Sequence, residues 1–322
     1  MADCPIRFSL SVRPEPSDDE LLFARQLGVP CVYTWVRPEQ CSYETLARLR
    51  ERVEDAGLTL YNVGCMDVGK SDQIQLALPD RDRKIAQFQA FVRNLGRAGI
   101  HVTTFTWEST GVWSSEPGQI RGARTRRVDL DEMRRRPYTH GRAYTEEELW
   151  ENFAYFMERI IPVAEEAGVR LALHPNDPPT ASLGGIPCLI RSWESYERAF
   201  EIAASPALGM EFCCGCWLEG GAAFGNIFAA IRHFVAQDRV LLVHFRNISA
   251  PLPRFEETFL DNGYGDMYEI MRTFCEAGYG NTMTLDHTPQ FAPGYDLGAG
   301  AGYAIGYMRA LLERAEDELG AG

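Results

Sequence analysis

Residues 146–174 read EEELWENFAYFMERIIPVAEEAGVRLALH. The stretch is an amphipathic helical segment that runs into a glycine suited to a left-handed C-cap, then a short β-rich run, VRLAL, then a histidine. A helix, a tight "AG" junction and a strand make one crossover unit of a parallel sheet.

The same unit recurs along the chain. Helical stretches SYETLARLRERVEDAG, RDRKIAQFQAFVRNLGRAG and MYEIMRTFCEAG each end at a glycine, and the β-rich runs fall at 6–12, 29–35, 58–63, 101–106, 169–173, 208–212, 240–245 and 282–285. Eight repeats with no Pro- or Ser-rich linker predict an α/β fold closed into a single (β/α)8 TIM barrel spanning residues 1–322, with a doubly wound open sheet as the fallback. One region breaks the rhythm. Residues 107–144 (including PGQIRGARTRRVDLDEMRRRP) are rich in glycine and arginine and form a long insertion after strand four. A barrel loop of this length leaves from the active-site face, so it is read as a lid, with disorder or a subunit contact as the other readings. The Arg121 to Arg127 run reads as a solvated cluster that could also attract an acidic substrate.

Composition narrows the functional classes. With 322 residues, 45% of them apolar, the chain is long enough for one large core, and its net charge of -13 disfavours nucleic acid and anionic membrane surfaces as partners. No signal peptide or membrane span is indicated, so the expected compartment is the cytoplasm. The nine cysteines (4, 31, 41, 65, 188, 213, 214, 216, 275) are odd in number and scattered, which predicts buried thiols rather than a disulfide framework. No heptad or apolar stripe proves association; a homo-oligomer is an expectation only.

The chemistry rests on four residues at consecutive strand ends: His174 after VRLAL, Cys213 after LGMEF, His244 after VLLV and Asp286 after TMTL. A lone histidine or cysteine near a strand end is usually a packing residue. Four at equivalent positions converge on one barrel mouth. Imidazole, thiolate and carboxylate together suit Mn2+, Fe2+, Co2+ or Zn2+ better than Mg2+ or Ca2+, and leave positions open for substrate oxygens. Cys214 is the second-best register for the sulfur ligand, since neighbouring strand side chains face opposite ways. The CCGC cluster lacks paired CxxC spacing, so a separate structural zinc is not expected.

Several motifs, taken in order, carry a family resemblance: LALPDRDRKIAQFQAFVRNLGRAGI, LHPNDPP, the following GIP, EFCCG, VHFRN, FLDNGYGDMYEIMRTFCEAGY, LDHTP and PGY. From about residue 55 to residue 310 the chain resembles the mannonate dehydratases, a family of metal-dependent xylose-isomerase-like barrels. The resemblance implies a manganese enzyme that converts D-mannonate to 2-keto-3-deoxygluconate and water. It places the family's metal ligands on His174, Cys213, His244 and Asp286, and its catalytic histidine and tyrosine on His287 and Tyr295. Dehydrating an aldonate means removing a weakly acidic proton α to a carboxylate and expelling a β-hydroxyl, which calls for a cation and an acid–base pair.

The remaining candidates come from position. Arg246, two residues beyond His244, is expected to face the same side and to pair with a substrate carboxylate, while Asn247 and Asn176 are candidates for binding hydroxyls. Turn chemistry is the competing reading for Asn176, as is orientation of Asp286 for His287 and packing for Tyr295. The chain departs from the family where it has Asp286-His287-Thr288-Pro289 in place of DHGR, HPND in place of HPDD, and a shorter loop after PGY. Arg13, Trp107, Glu108 and Trp113 are candidates to line an altered pocket. A sugar isomerase or epimerase, another sugar eliminase, or a non-catalytic sugar-binding barrel would keep the same scaffold.

Overall fold

A computed structural model describes residues 4–295 and 298–320. Eight strands, β1 (Arg7–Ser11), β2 (Cys31–Trp35), β3 (Thr59–Gly64), β4 (Val102–Thr106), β5 (Arg170–His174), β6 (Leu208–Cys213), β7 (Val240–His244) and β8 (Thr282–Thr284), form one parallel sheet. Its order is β3-β2-β1-β8-β7-β6-β5-β4, so every strand lies beside its neighbours in sequence. The two end strands meet where Thr103 Oγ1 donates to the Val63 carbonyl at 2.8 Å. The sheet thus curls into a barrel, and the open-sheet fallback is set aside.

Eight helices follow the strands: α1 (Asp18–Gln26), α2 (Tyr43–Asp55), α3 (Arg81–Arg97), α4 (Glu146–Ala167), α5 (Trp193–Ala203), α6 (Ile227–Ala236), α7 (Met267–Glu276) and α8 (Ala299–Gly320). Local sequence sets their limits. At the start of α4, Thr145 Oγ1 accepts from the Glu148 amide at 3.1 Å and Glu148 returns the contact to the Thr145 amide at 2.7 Å, satisfying two amides that the helix leaves unpaired. At its end Gly168 adopts φ 63°, a left-handed turn that aims the chain straight into β5. The buried faces of α3 and α4 then close on β4, with the Phe88, Phe105 and Phe156 rings 5.6–6.3 Å apart. Burying each such ring stabilises the fold by roughly 1.5–3 kcal/mol.

The insertion is more built than its sequence suggests. Residues 118–120 and 123–125 form a hairpin, and Arg127–Asp129 adds to the strand Arg254–Thr258 from the segment between β7 and α7. Val112, Val128, Leu130 and Met133 are buried in the main core. Short strands and a four-residue helix give these few apolar side chains no periodicity that the sequence could show. The expectation about cysteines is corrected at one point. Cys4 and Cys275 form a disulfide that joins the N-terminal segment to α7, and the other seven are free. Among the described residues no helix is long and apolar enough to cross a membrane.

Candidate metal centre

Parallel strands put all their C-terminal ends on one face, and register does the rest. Cys213 is paired across the sheet with His244, and His244 with Thr284, so the ends of β6, β7 and β8 are level. His174 closes β5 beside them. One nitrogen each from His174 and His244 and the Cys213 sulfur all lie within 4.8 Å of one another. Asp286 stands 3.5 Å from His244 Nδ1 and 3.9 Å from the Cys213 sulfur. Tertiary structure chooses Cys213 over Cys214: Cys214 opens the short helix Cys214–Gly220, and burial pushes its thiol well up, while Cys213 faces the imidazoles.

The hydrogen bonds fix which nitrogen each imidazole can offer. His174 Nδ1 donates to the Pro175 carbonyl at 2.7 Å, leaving Nε2 as the donor atom for a metal. His244 Nε2 meets Glu211 Oε1 at 2.5 Å, and its Nδ1 is buried with no hydrogen-bond partner among the described residues. That orphaned nitrogen is the strongest sign in the structure that the group fits a cation. Carboxylate and carbonyl partners of this kind orient metal-ligating histidines. Glu211 in turn receives the Thr104 hydroxyl. The sequence reading missed Glu211, although it stands two residues before Cys213 on the same strand and alternation sends both to one face.

Charge in the cluster is mutually supported. Burial alone would push the Cys213 thiol up, but the Cys216 thiol, Arg246 and the two imidazoles outweigh it and hold Cys213 well below the ordinary value, as a thiolate. Burial likewise pulls His174 down, and the Cys213 sulfur and Glu211 overcome it, raising His174 to about 9. The sign for metal binding follows. A raised imidazole keeps its proton at neutral pH, and a metal must displace that proton, so affinity is lost as pH falls below about 9. We expect Mn2+ affinity to rise across pH 6.5 to 9 with proton release on loading, read by calorimetry in buffers of different ionisation enthalpy. A flat profile with no proton release would contradict it.

His174, His244 and Asp286 line a cavity of about 370 Å³ together with Tyr33, Trp35, Lys70, Phe105, Glu108, Trp113, Asp177 and His287, while Cys213 is buried and does not line it. That volume accommodates a small metabolite. His287 is held at both nitrogens, Nδ1 3.0 Å from Glu257 Oε1 and Nε2 3.2 Å from Asp286 Oδ1. Trp113 of the insertion stands edge-on to it, ring centroids 5.6 Å apart. Burial lowers the His287 imidazole, but Asp286 and Glu257 raise it above its ordinary value.

Four sequence expectations meet a different geometry. Arg246 is fully buried and does not line the cavity; it contacts Asp177 (3.1 Å), Glu219 (2.9 Å), Glu257 and Asp286 (3.2 Å). The chain leaves the strand at His244, so alternation no longer governs where Arg246 points. Gly215 makes room for it, since a Cβ there would collide with the guanidinium. Asn247 is occupied by the Leu260 and Gly265 carbonyls at 3.0 and 3.1 Å, and Asn176 by the Trp107 carbonyl and the Ile190 amide at 3.0 and 2.8 Å, so both serve loop structure. Tyr295 is 75% exposed and does not line the cavity. Of the altered-pocket candidates, Glu108 and Trp113 line the cavity, whereas Trp107 packs on Phe153 and Phe156, and Arg13 pairs with Glu20 outside.

The arginine run is also divided by the fold. Arg121 pairs with Asp261 on the surface, but the Arg126 side chain is buried against Asp177 (2.7 Å), Glu257 (3.1 Å) and Glu219 (3.6 Å). Two guanidinium groups thus share three carboxyls. Despite burial, the arginines keep Asp177 below the usual range and Glu257 at about 2, whereas burial and Asp177 push Glu219 well up, so the set is close to neutral.

Comparison with known proteins agrees with this geometry. The family model described as D-mannonate dehydratase (UxuA) matches residues 25–121 and 119–318. Mannonate dehydratase of Thermotoga maritima is 32% identical over 317 residues, covering 84% of this chain and 86% of that protein. The Lactococcus lactis subsp. lactis enzyme of the same name is 29% identical over 316 residues, covering 83% and 86%. Among solved structures, mannonate dehydratase from Streptococcus suis serotype2 superposes with a TM-score of 0.82 at 23% identity, covering 98% of this chain and 96% of that one. An L-ribulose 3-epimerase shares the fold at a TM-score of 0.63 and 16% identity, covering 98% and 97%. The matched segments include His174, Cys213, His244 and Asp286, and the chain belongs to the D-mannonate dehydratase family.

Proposed function

We propose that this protein is a manganese-dependent hydro-lyase that converts D-mannonate to 2-keto-3-deoxygluconate and water in the cytoplasm. The observation that carries the reading is the cluster of a thiolate, two oriented imidazoles and a carboxylate, with the imidazoles and the carboxylate lining a cavity of metabolite size. His174 Nε2, Cys213 Sγ, His244 Nδ1 and an Asp286 oxygen would hold the metal; Fe2+, Co2+ and Zn2+ are the other ions that this donor set accepts. Bound there, the ion supplies a positive charge to stabilise the enolate-like charge that builds when the α-proton leaves.

The chain's own groups do the rest. Pro175 and Glu211 keep the two imidazoles in the tautomers that face the cavity. His287, raised by its two carboxylate neighbours, holds its proton to higher pH than an ordinary imidazole and is suited to give it to the departing β-hydroxyl as water forms. Trp35, Phe105 and Trp113 supply apolar wall that limits bulk water around the reacting atoms.

The test is a metal-replete assay: chelator-stripped protein is given Mn2+, incubated with D-mannonate and a panel of aldonates, and followed for 2-keto-3-deoxy acid. Manganese-dependent product from mannonate is expected. Product from another aldonate alone would shift the substrate, metal binding with no dehydration would remove the hydro-lyase reading, and no metal binding would remove the four-ligand centre.

A further inference from the structure

Lys70 and Glu108 form an ion pair at 2.8 Å inside the same cavity, and neither belongs to the metal cluster or to the buried arginine network. Lys70 comes from the segment after β3 and Glu108 from the segment after β4. The ring order puts them next to His174 at the end of β5. Lys70 is the one lysine or arginine among the described residues that line the cavity. Its ammonium has three donors, and the contact with Glu108 is its only hydrogen bond among the described residues. Glu108, with only 9% of its side chain exposed, likewise has one oxygen committed and one without a protein donor.

Such a pair is poorly suited to an anion. Glu108 stands 2.8 Å from the ammonium and offsets its charge, so the pair has little net charge with which to hold an anion. A hydroxyl fits better, because it donates one hydrogen bond and accepts others: the ammonium can donate to it while the carboxylate accepts from it. We propose that Lys70 and Glu108 are the subsite that reads the hydroxyls on the tail of the sugar acid, beyond the carbons that react, and that the pair makes the enzyme selective for a polyhydroxylated chain. The proposal rests on the hydro-lyase reading and names the part of the substrate that this chain recognises outside its metal centre.

The experiment compares D-mannonate with its 4-, 5- and 6-deoxy analogues on the Mn2+-loaded wild type, Lys70→Met and Glu108→Gln, with metal content measured for each. Methionine keeps most of the apolar stem and glutamine keeps the carboxyl's shape, so folding is little disturbed. A site built around a hydroxyl loses about 10–100-fold in kcat/KM when that hydroxyl is absent. The wild type is expected to show that loss for at least one analogue. Both variants should lose a similar factor on D-mannonate, chiefly in KM, and should tell the parent from that analogue by less than about threefold. Variants that keep both the wild-type kcat/KM and the wild-type discrimination overturn the proposal and leave the hydro-lyase reading standing. If the wild type binds D-mannonate without dehydrating it, the hydro-lyase reading falls, and the same ratios taken from dissociation constants decide the subsite. No binding at all removes both.

Discussion

Changing His287 to alanine is expected to lower kcat by about 10²–10⁴-fold while the bound-metal content stays near that of the wild type. The residue lines the cavity without belonging to the His174, Cys213 and His244 donor group, so its loss removes a proton carrier rather than the metal. Its environment sets the sign of the pH dependence. Asp286 and Glu257 outweigh burial and raise the imidazole, so the acid form persists above the ordinary histidine range and the wild-type rate should fall as pH rises through that raised value. The alanine variant should lack this alkaline limb. A variant that keeps the limb and most of its rate would show that His287 only orients Asp286, to which its Nε2 lies at 3.2 Å.

The second large effect is on stability. Arg246→Met should destabilise the fold by about 3–5 kcal/mol, because it leaves buried carboxyls without their counter-charge. Asp177, Glu219, Glu257 and Asp286 all contact this one guanidinium, whose side chain is fully buried. Lysine is not an adequate replacement, since a single ammonium cannot reproduce the fork that reaches several carboxyls at once. Urea unfolding measures the loss, and manganese binding should weaken as well, because Asp286 Oδ2 gives up its 3.2 Å neighbour. A change below about 1 kcal/mol would mean that Arg126, which meets three of the same carboxyls, carries the network by itself.

These expectations divide along the line between what a chain repeats and what it assembles. Eight strand-like runs, the glycine junctions such as Gly168 and the histidines, cysteine and aspartate at successive strand ends could all be read from the sequence, because each repeats a local pattern imposed by one backbone period. A parallel barrel then has a single face on which those ends can meet, so the clustering of His174, Cys213, His244 and Asp286 follows from their places at the strand ends once the barrel closes. The fate of the other polar residues did not follow. Arg246 turned to the carboxyls rather than the cavity, Arg126 left a surface charge run to join it, and Asn176 and Asn247 closed loops instead of binding hydroxyls. Tyr295 went to the surface, and Glu211 and Lys70 entered the site unannounced. What the sequence determined by itself was the scaffold and the places where ligands emerge from it. Only the tertiary structure decided the partners, because a buried charge or amide must find its counterpart among whichever loops the closed ring brings within hydrogen-bond reach, and Arg126 and Glu257, for example, lie 131 residues apart in the chain.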